Sequence, residues 1–130
     1  MELLHATTFP GPFSHALTST KEALVCQGFS IMAQVDLRAA LDAETDAQPE
    51  PHVVLGAYVP EVIADALTAD PSAALMLMFW VVVRATEGTV TVETYNPAAL
   101  SSANDHPTLD SSLDALSQRL DGALRDLHER

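Results

Sequence analysis

The hydrophobic pattern is strongest in the middle of the chain, where every residue from Leu75 to Val83 is apolar. This run is too short to cross a bilayer, which takes about 20 residues. Its aromatic and β-branched residues favour a strand over a helix. A turn signal, Glu87-Gly88, follows. Polar and apolar residues then alternate from Thr89 to Glu93, in a predicted strand that continues to Tyr95. We therefore predict a hairpin whose first strand is apolar on both faces and whose second strand is apolar on one.

The same reading predicts three more strands, over Leu3–Thr8, Ser30–Asp36 and His52–Val59. Helical spacing of apolar residues predicts helices over Phe13–Gln27, Leu37 to about Asp46, Pro60 to just before Asp70, and from about Thr108 onward. Gly28 lies where a helix C-terminus favours a left-handed residue. We expect Leu37, Ala40 and Leu41 to face inward on the second helix, and Val62, Ile63, Ala66 and Leu67 on the third. Six leucines form one apolar stripe on the last helix: Leu109, Leu113, Leu116, Leu120, Leu124 and Leu127.

This order of elements predicts an α+β fold made of one domain over residues 1–130. The sheet is expected to be mainly antiparallel, with the helices on one face. We call the opposite side the outer face, and strand parity assigns residues to it. The expected outer-face residues are Met32, Val54, Tyr58, Met76, Met78, Trp80, Val82 and Tyr95, edged by Gln34, His52, Glu93 and Arg84, with His5 as a further candidate from the first strand. The residues Ile31, Ala33 and Val35 are expected on the helix side.

The outer face predicted in this way is too apolar for bare solvent. Methionine and aromatic residues are common in adaptable contact surfaces. Two occupants are compatible with this composition, a second copy of the chain and a small apolar ligand in a pocket at the edge of the face. We therefore predict a non-enzymatic homodimer, or a small-ligand-binding module, that uses Met32, His52, Tyr58, Met76, Met78, Trp80, Glu93 and Tyr95.

The charge of the chain narrows the choice of partners. Six Lys and Arg stand against 18 Asp and Glu, a net charge of −12, and 48% of the residues are hydrophobic. Such a surface disfavours nucleic acid and anionic membranes, which bind cationic proteins. The single cysteine, Cys26, excludes an internal disulfide. The first five residues show no signal-peptide pattern, so the expected location is the cytoplasm.

Motifs of catalysis and cofactor binding are absent from the sequence. The five histidines form no pair with metal-ligand spacing, and no nucleophile elbow or phosphate-binding glycine motif is present. No cofactor and no metal are expected. The alternative reading is an enzyme, or a redox or metal site, around His52, Glu93 and Tyr58, with Cys26 as a further candidate.

Four segments together resemble the domain of unknown function 302 family, also called TT1751-like. They are Gly28-Phe29 with the strand up to Val35-Asp36-Leu37, the run Val54 to Pro60, the run Leu67 to Pro71, and Val81 to Val83 with the Glu87-Gly88 turn. The resemblance implies a TBP-like β-α-β4-α fold, generally homodimeric, and no established activity. This chain carries Tyr58-Val59 where the family signature has cysteine and asparagine. It also carries Met78-Phe79-Trp80 where the family has proline, cysteine and asparagine, which favours an interface or an apolar pocket.

Overall fold

Five antiparallel strands form one sheet in the computed structural model, which describes residues 3–72, 76–101 and 109–130. The strands are β1 (Leu4–Phe9), β2 (Ser30–Asp36), β3 (His52–Tyr58), β4 (Phe79–Thr86) and β5 (Thr89–Tyr95). Their order across the sheet is β1-β5-β4-β3-β2. The helices are α1 (Phe13–Cys26), α2 (Leu37–Glu44), α3 (Pro60–Ala69), α4 (Pro97–Ser101) and α5 (Asp110–Glu129). The α+β class predicted from the sequence is confirmed.

The core lies between the sheet and the two long helices, α1 and α5. All six predicted leucines of the last helix are buried, at 8% exposure or less. They pack with strand residues that share the inner face, meaning the side that meets these helices: Val53, Leu55, Ala57, Phe79, Val81, Val83, Val90 and Val92. Burial of this apolar stripe is the main source of stability for α5, because helix propensity alone is weak. The predicted inner faces of β3, β4 and β5 are confirmed.

The apolar run that predicted the first hairpin strand is longer than that strand. Strand β4 begins at Phe79, and Met76 and Leu77 form a 3₁₀ turn before it, while Leu75 lies outside the described residues. Leu77 is fully buried, and Met76 packs against the core. The assignment of Met76 to the outer face is therefore wrong. An unbroken apolar run marks burial, and it does not separate a buried turn from a buried strand.

The β4–β5 turn has the expected two residues. Thr86 pairs with Thr89, and Glu87 and Gly88 both have positive φ, at 50° and 84°. Two-residue hairpin turns with these angles match the right-handed twist of the strands. The turn is confirmed, and it fixes which residues of β4 and β5 lie side by side.

Helix α4 is absent from the sequence prediction. Its signal is nevertheless local, because the Asn96 side chain accepts a hydrogen bond of 3.0 Å from Ala98 N and proline occupies the first helical position. Two expected inward positions are also wrong: Ala40 is exposed on α2, and Leu67 is 51% exposed on α3. Both helices are short and amphipathic, and spacing alone leaves the width of the buried stripe undefined.

A β-bulge at Met32 changes the faces of β2. Ile31 pairs with Ala57, and Ala33 pairs with Gly56, so Met32 is an extra residue between them. Residues paired across antiparallel strands share a face. Beyond the bulge, Ala33 and Val35 therefore lie on the outer face, and Gln34, paired with Leu55, lies on the inner side. The predicted faces of these three residues are wrong, because one inserted residue reverses the parity of everything that follows it.

Candidate functional site

Three rows of side chains run across the outer face of the sheet, and Tyr58 lies on the same face at the end of β3, where it pairs with Ser30. One row contains Leu4, Tyr95, Trp80 and Gly56, and it ends at Met32 and Ala33 of the bulge. The middle row is Ala6, Glu93, Val82, Val54 and Val35, and the third is Thr8, Thr91, Arg84 and His52. The sequence prediction missed five outer-face residues, Leu4, Ala6, Thr8, Ala33 and Val35. The alternation of β1 was the only available signal for the first three, and the bulge hid the others.

Large apolar side chains on this face remain open to solvent. The exposed fractions are 49% for Leu4, 45% for Met32, 41% for Val35 and 47% for Trp80. Val54 and Val82 lie between them and are half-buried. Contiguous apolar surface of this kind marks an interaction or ligand-binding site. The expected apolar character of the outer face is therefore present in the fold.

Gly56 shapes the centre of this surface. It has no side chain, and the Trp80 indole and the Met32 methyl group both lie over it. A β-carbon placed there would come within 3.1 Å of Trp80 Cζ3 and 3.2 Å of Met32 Cε. Glycine inside a strand often marks such a close approach. The missing side chain thus lets Trp80 of β4 and Met32 of β2 meet across β3.

A recess of about 290 Å³ opens beside these residues at the start of β4. It is lined by Met32, Met78, Phe79, Trp80 and Tyr95. The Tyr95 hydroxyl donates a 2.9 Å hydrogen bond to the Met78 carbonyl, and its ring lies 5.3 Å from that of Phe79. Burial raises the pKa of the Tyr95 hydroxyl above its usual value. The recess therefore combines an apolar wall with one neutral hydroxyl.

Among the described strand residues of the outer face, Arg84 and Glu93 form one ion pair. Arg84 Nε donates to Glu93 Oε1 at 2.8 Å, and Arg84 Nη1 donates to Thr86 Oγ1 at 3.1 Å. Among the strand residues described on this face, Glu93 is the only carboxylate, and Arg84 neutralises it. The face is therefore close to neutral on a strongly acidic protein.

The structure does not gather the residues of the alternative site. His52 and Tyr58 lie at opposite ends of β3, about 20 Å apart at 3.3 Å per residue. His52 is paired with Arg84, and β4 separates it from Glu93 by about 10–12 Å. Cys26 is exposed at the end of α1. Across the described ranges, no three His, Cys, Asp or Glu side chains are close enough to hold a metal ion.

His5 lies on the inner face, so its expected outer position is wrong. It pairs with Thr94, and its Nε2 lies 3.4 Å from Ser117 Oγ of α5. Ser117 Oγ in turn donates to Asn96 Oδ1 at 3.1 Å. These contacts attach β1 to α5, and sequence spacing offers no signal for a contact between residues 112 positions apart.

Comparison with known proteins agrees on one family. The sequence model described as "Domain of unknown function DUF302" matches residues 5–127. A crystal structure of an uncharacterized conserved protein DUF302 from Bacillus stearothermophilus superimposes with a TM-score of 0.87 at 20% identity, over 98% of this chain and 99% of that chain. No curated protein matches. In the described part of the chain, no helix is both long and apolar enough to span a bilayer.

Proposed function

The chain belongs to the DUF302 family, and from that premise we propose that it is a non-enzymatic interaction protein that forms a homodimer through its outer face. The observation that carries the proposal is the shared location of Leu4, Met32, Val35 and Trp80, four exposed apolar side chains on one sheet face. The other exposed large apolar residues, Leu3, Val25 and Leu67, do not belong to its three rows. The order of strands and long helices also supports the TBP-like assignment.

Charge favours a second copy as the occupant. At a net charge of −12, two copies repel each other over most of their surfaces. The outer face avoids this repulsion, because Glu93, the one carboxylate among its described strand residues, is paired with Arg84. A basic partner would gain nothing from so neutral a surface. A second neutral, apolar face is complementary to it.

The size of the face is sufficient for a stable contact. Five strands spaced about 4.8 Å apart and about six residues long present roughly 500 Å². Two copies would bury about 1,000 Å², which is the lower limit for a specific interface. The projecting Trp80 and Met32 side chains add to this area. We therefore expect a dimer of moderate affinity.

The test compares the same substitution on and off the face. Val35→Glu introduces a carboxylate on the outer face, and Val25→Glu introduces one on α1, where Val25 is 59% exposed. Both side chains are exposed to solvent in a single copy, so both variants are expected to fold. Size exclusion with light scattering should give about twice the 13.9 kDa chain mass for the wild type and for Val25→Glu. Val35→Glu should give a mass near that of one chain.

Two results would contradict the proposal. One is a wild-type mass of 13.9 kDa at concentrations of tens of micromolar or more. The other is an equal loss of mass in the two variants, which would mean that added charge acts regardless of position. Circular dichroism of both variants checks that each retains the fold.

A further inference from the structure

We infer that the recess at the start of β4 binds a small neutral aromatic molecule of about two fused rings that carries one hydrogen-bond donor. The inference rests on the proposed function, because the recess opens beside the interface that the outer face would form. Its lining comes from three strands and from Met78, just before β4. The lining of the recess does not include His52 or Glu93, the residues of the alternative site.

The volume sets the size of the ligand. A dry apolar cavity of about 150 Å³ binds one benzene molecule. The recess has about 290 Å³, roughly twice that volume. A single ring would leave much of it unfilled. A compound of two fused rings fits the available space.

The side chains of the lining favour an aromatic ligand over an aliphatic one. Trp80 and Tyr95 offer ring faces and edges, and aromatic pairs gain energy from offset or edge-to-face geometry. Met32 and Met78 offer flexible thioethers, which adapt to an irregular ligand and make favourable contacts with rings. None of the five lining residues is charged. A charged ligand would lose its hydration without gaining a partner.

Tyr95 provides a polar contact with an acceptor. Its hydroxyl hydrogen is directed to the Met78 carbonyl, so its oxygen keeps lone pairs that can accept. A ligand hydroxyl or ring N–H would donate to that oxygen. The hydrogen bond between Tyr95 and Met78 also fixes the orientation of the acceptor before the ligand arrives. The geometry therefore selects a donor-bearing ring compound over a plain hydrocarbon.

The first experiment uses methionine methyl groups as position markers. The chain has four methionines, of which Met32 and Met78 line the recess and Met76 packs against the core. The protein is labelled with ¹³C-methyl methionine and titrated with 2-naphthol. Ring currents should shift the Met32 and Met78 methyl signals in a saturable way and leave Met76 unchanged. No saturable shift, or equal shifts of all the methyl signals, would overturn the inference.

The second experiment tests the hydrogen bond with a matched pair of probes and variants. Tyr95→Phe removes the acceptor and keeps the ring. We expect its affinity for 2-naphthol to fall roughly three- to tenfold, the worth of one net hydrogen bond, while its affinity for naphthalene stays unchanged. Unchanged binding of 2-naphthol, or an equal loss for both probes, would overturn the role assigned to Tyr95.

Light scattering on the same samples separates this inference from the proposed dimer. A dimer whose Met32 and Met78 methyl groups do not respond refutes the ligand site and leaves the homodimer standing. A monomer whose methyl groups respond refutes the homodimer and leaves the ligand site standing. A monomer without response refutes both.

Discussion

Trp80 is the single side chain whose removal should weaken the proposed dimer most. It is 47% exposed in one copy, and a tryptophan contributes about 150–250 Å² when fully buried. Association would therefore cover about 100 Å² more of it, which is worth about 2.5 kcal/mol at 25 cal/mol per Å². A symmetric dimer contains two such residues, so the full value approaches 5 kcal/mol. Ordering and imperfect packing reduce this value, and we expect Trp80→Ala to raise the dissociation constant at least about a hundredfold.

Sedimentation equilibrium over a dilution series measures that constant directly. Leu67→Ala is the matched control, because Leu67 is 51% exposed but lies on α3. Its dissociation constant should stay within about threefold of the wild-type value. Trp80 is 47% exposed, so circular dichroism should show that Trp80→Ala keeps its fold. A dissociation constant of Trp80→Ala within threefold of the wild-type value would refute the reasoning.

Two further predictions concern stability, each measured by urea unfolding at fixed protein concentration. Gly28 has a φ of 89°, and a methyl group there would overlap the Arg119 Nη1 that donates to the Gln27 carbonyl at 2.8 Å. We expect Gly28→Ala to lower the free energy of unfolding by about 2–3 kcal/mol. In a protein that already carries Arg119→Ala, the same substitution should lower it by only about 1–2 kcal/mol. Equal losses in the two proteins would contradict the overlap with Arg119. Burial raises the pKa of Tyr95, so as the pH rises above 10.0 the unfolded state loses its proton first and the folded state loses stability. The fall in unfolding midpoint between pH 8 and pH 10.5 should therefore be smaller for Tyr95→Phe than for the wild type, and an equal fall would contradict this assignment.

The hairpin and the last helix could be predicted from the sequence, because turn residues and hydrophobic spacing are local properties of the chain. The hairpin turn requires only two residues with positive φ, and Glu87 and Gly88 provide them. The alternation after the turn predicted the buried face of β5. The leucine stripe of α5 required only helical spacing and a core to meet, and all six leucines are buried. Parity also placed Tyr58, Trp80 and Tyr95 on the outer face. Each of these features depends on residues that are close neighbours along the chain.

Other features depended on contacts that sequence spacing does not encode. The bulge at Met32 exists because β2 pairs with β3 in two registers, and it transferred Ala33 and Val35 to the outer face. The position of His5 depends on pairing with β5, whose partner residue Thr94 is far along the chain. The start of β4 at Phe79 depends on how the preceding apolar residues pack. Hydrophobic periodicity does not predict any of these three features.

The sequence by itself determined the five strands and the helices other than α4, which stretches are buried, and that one apolar surface remains beyond what the core requires. Hydrophobic periodicity and turn chemistry are local properties, and they carry that information. Only the tertiary structure decided which side chains share that surface, that Arg84 neutralises Glu93, and that Met32, Trp80 and Tyr95 line one recess. The reason is physical: strand register and bulges are set by pairing between distant segments, and a shift of one residue exchanges the two faces.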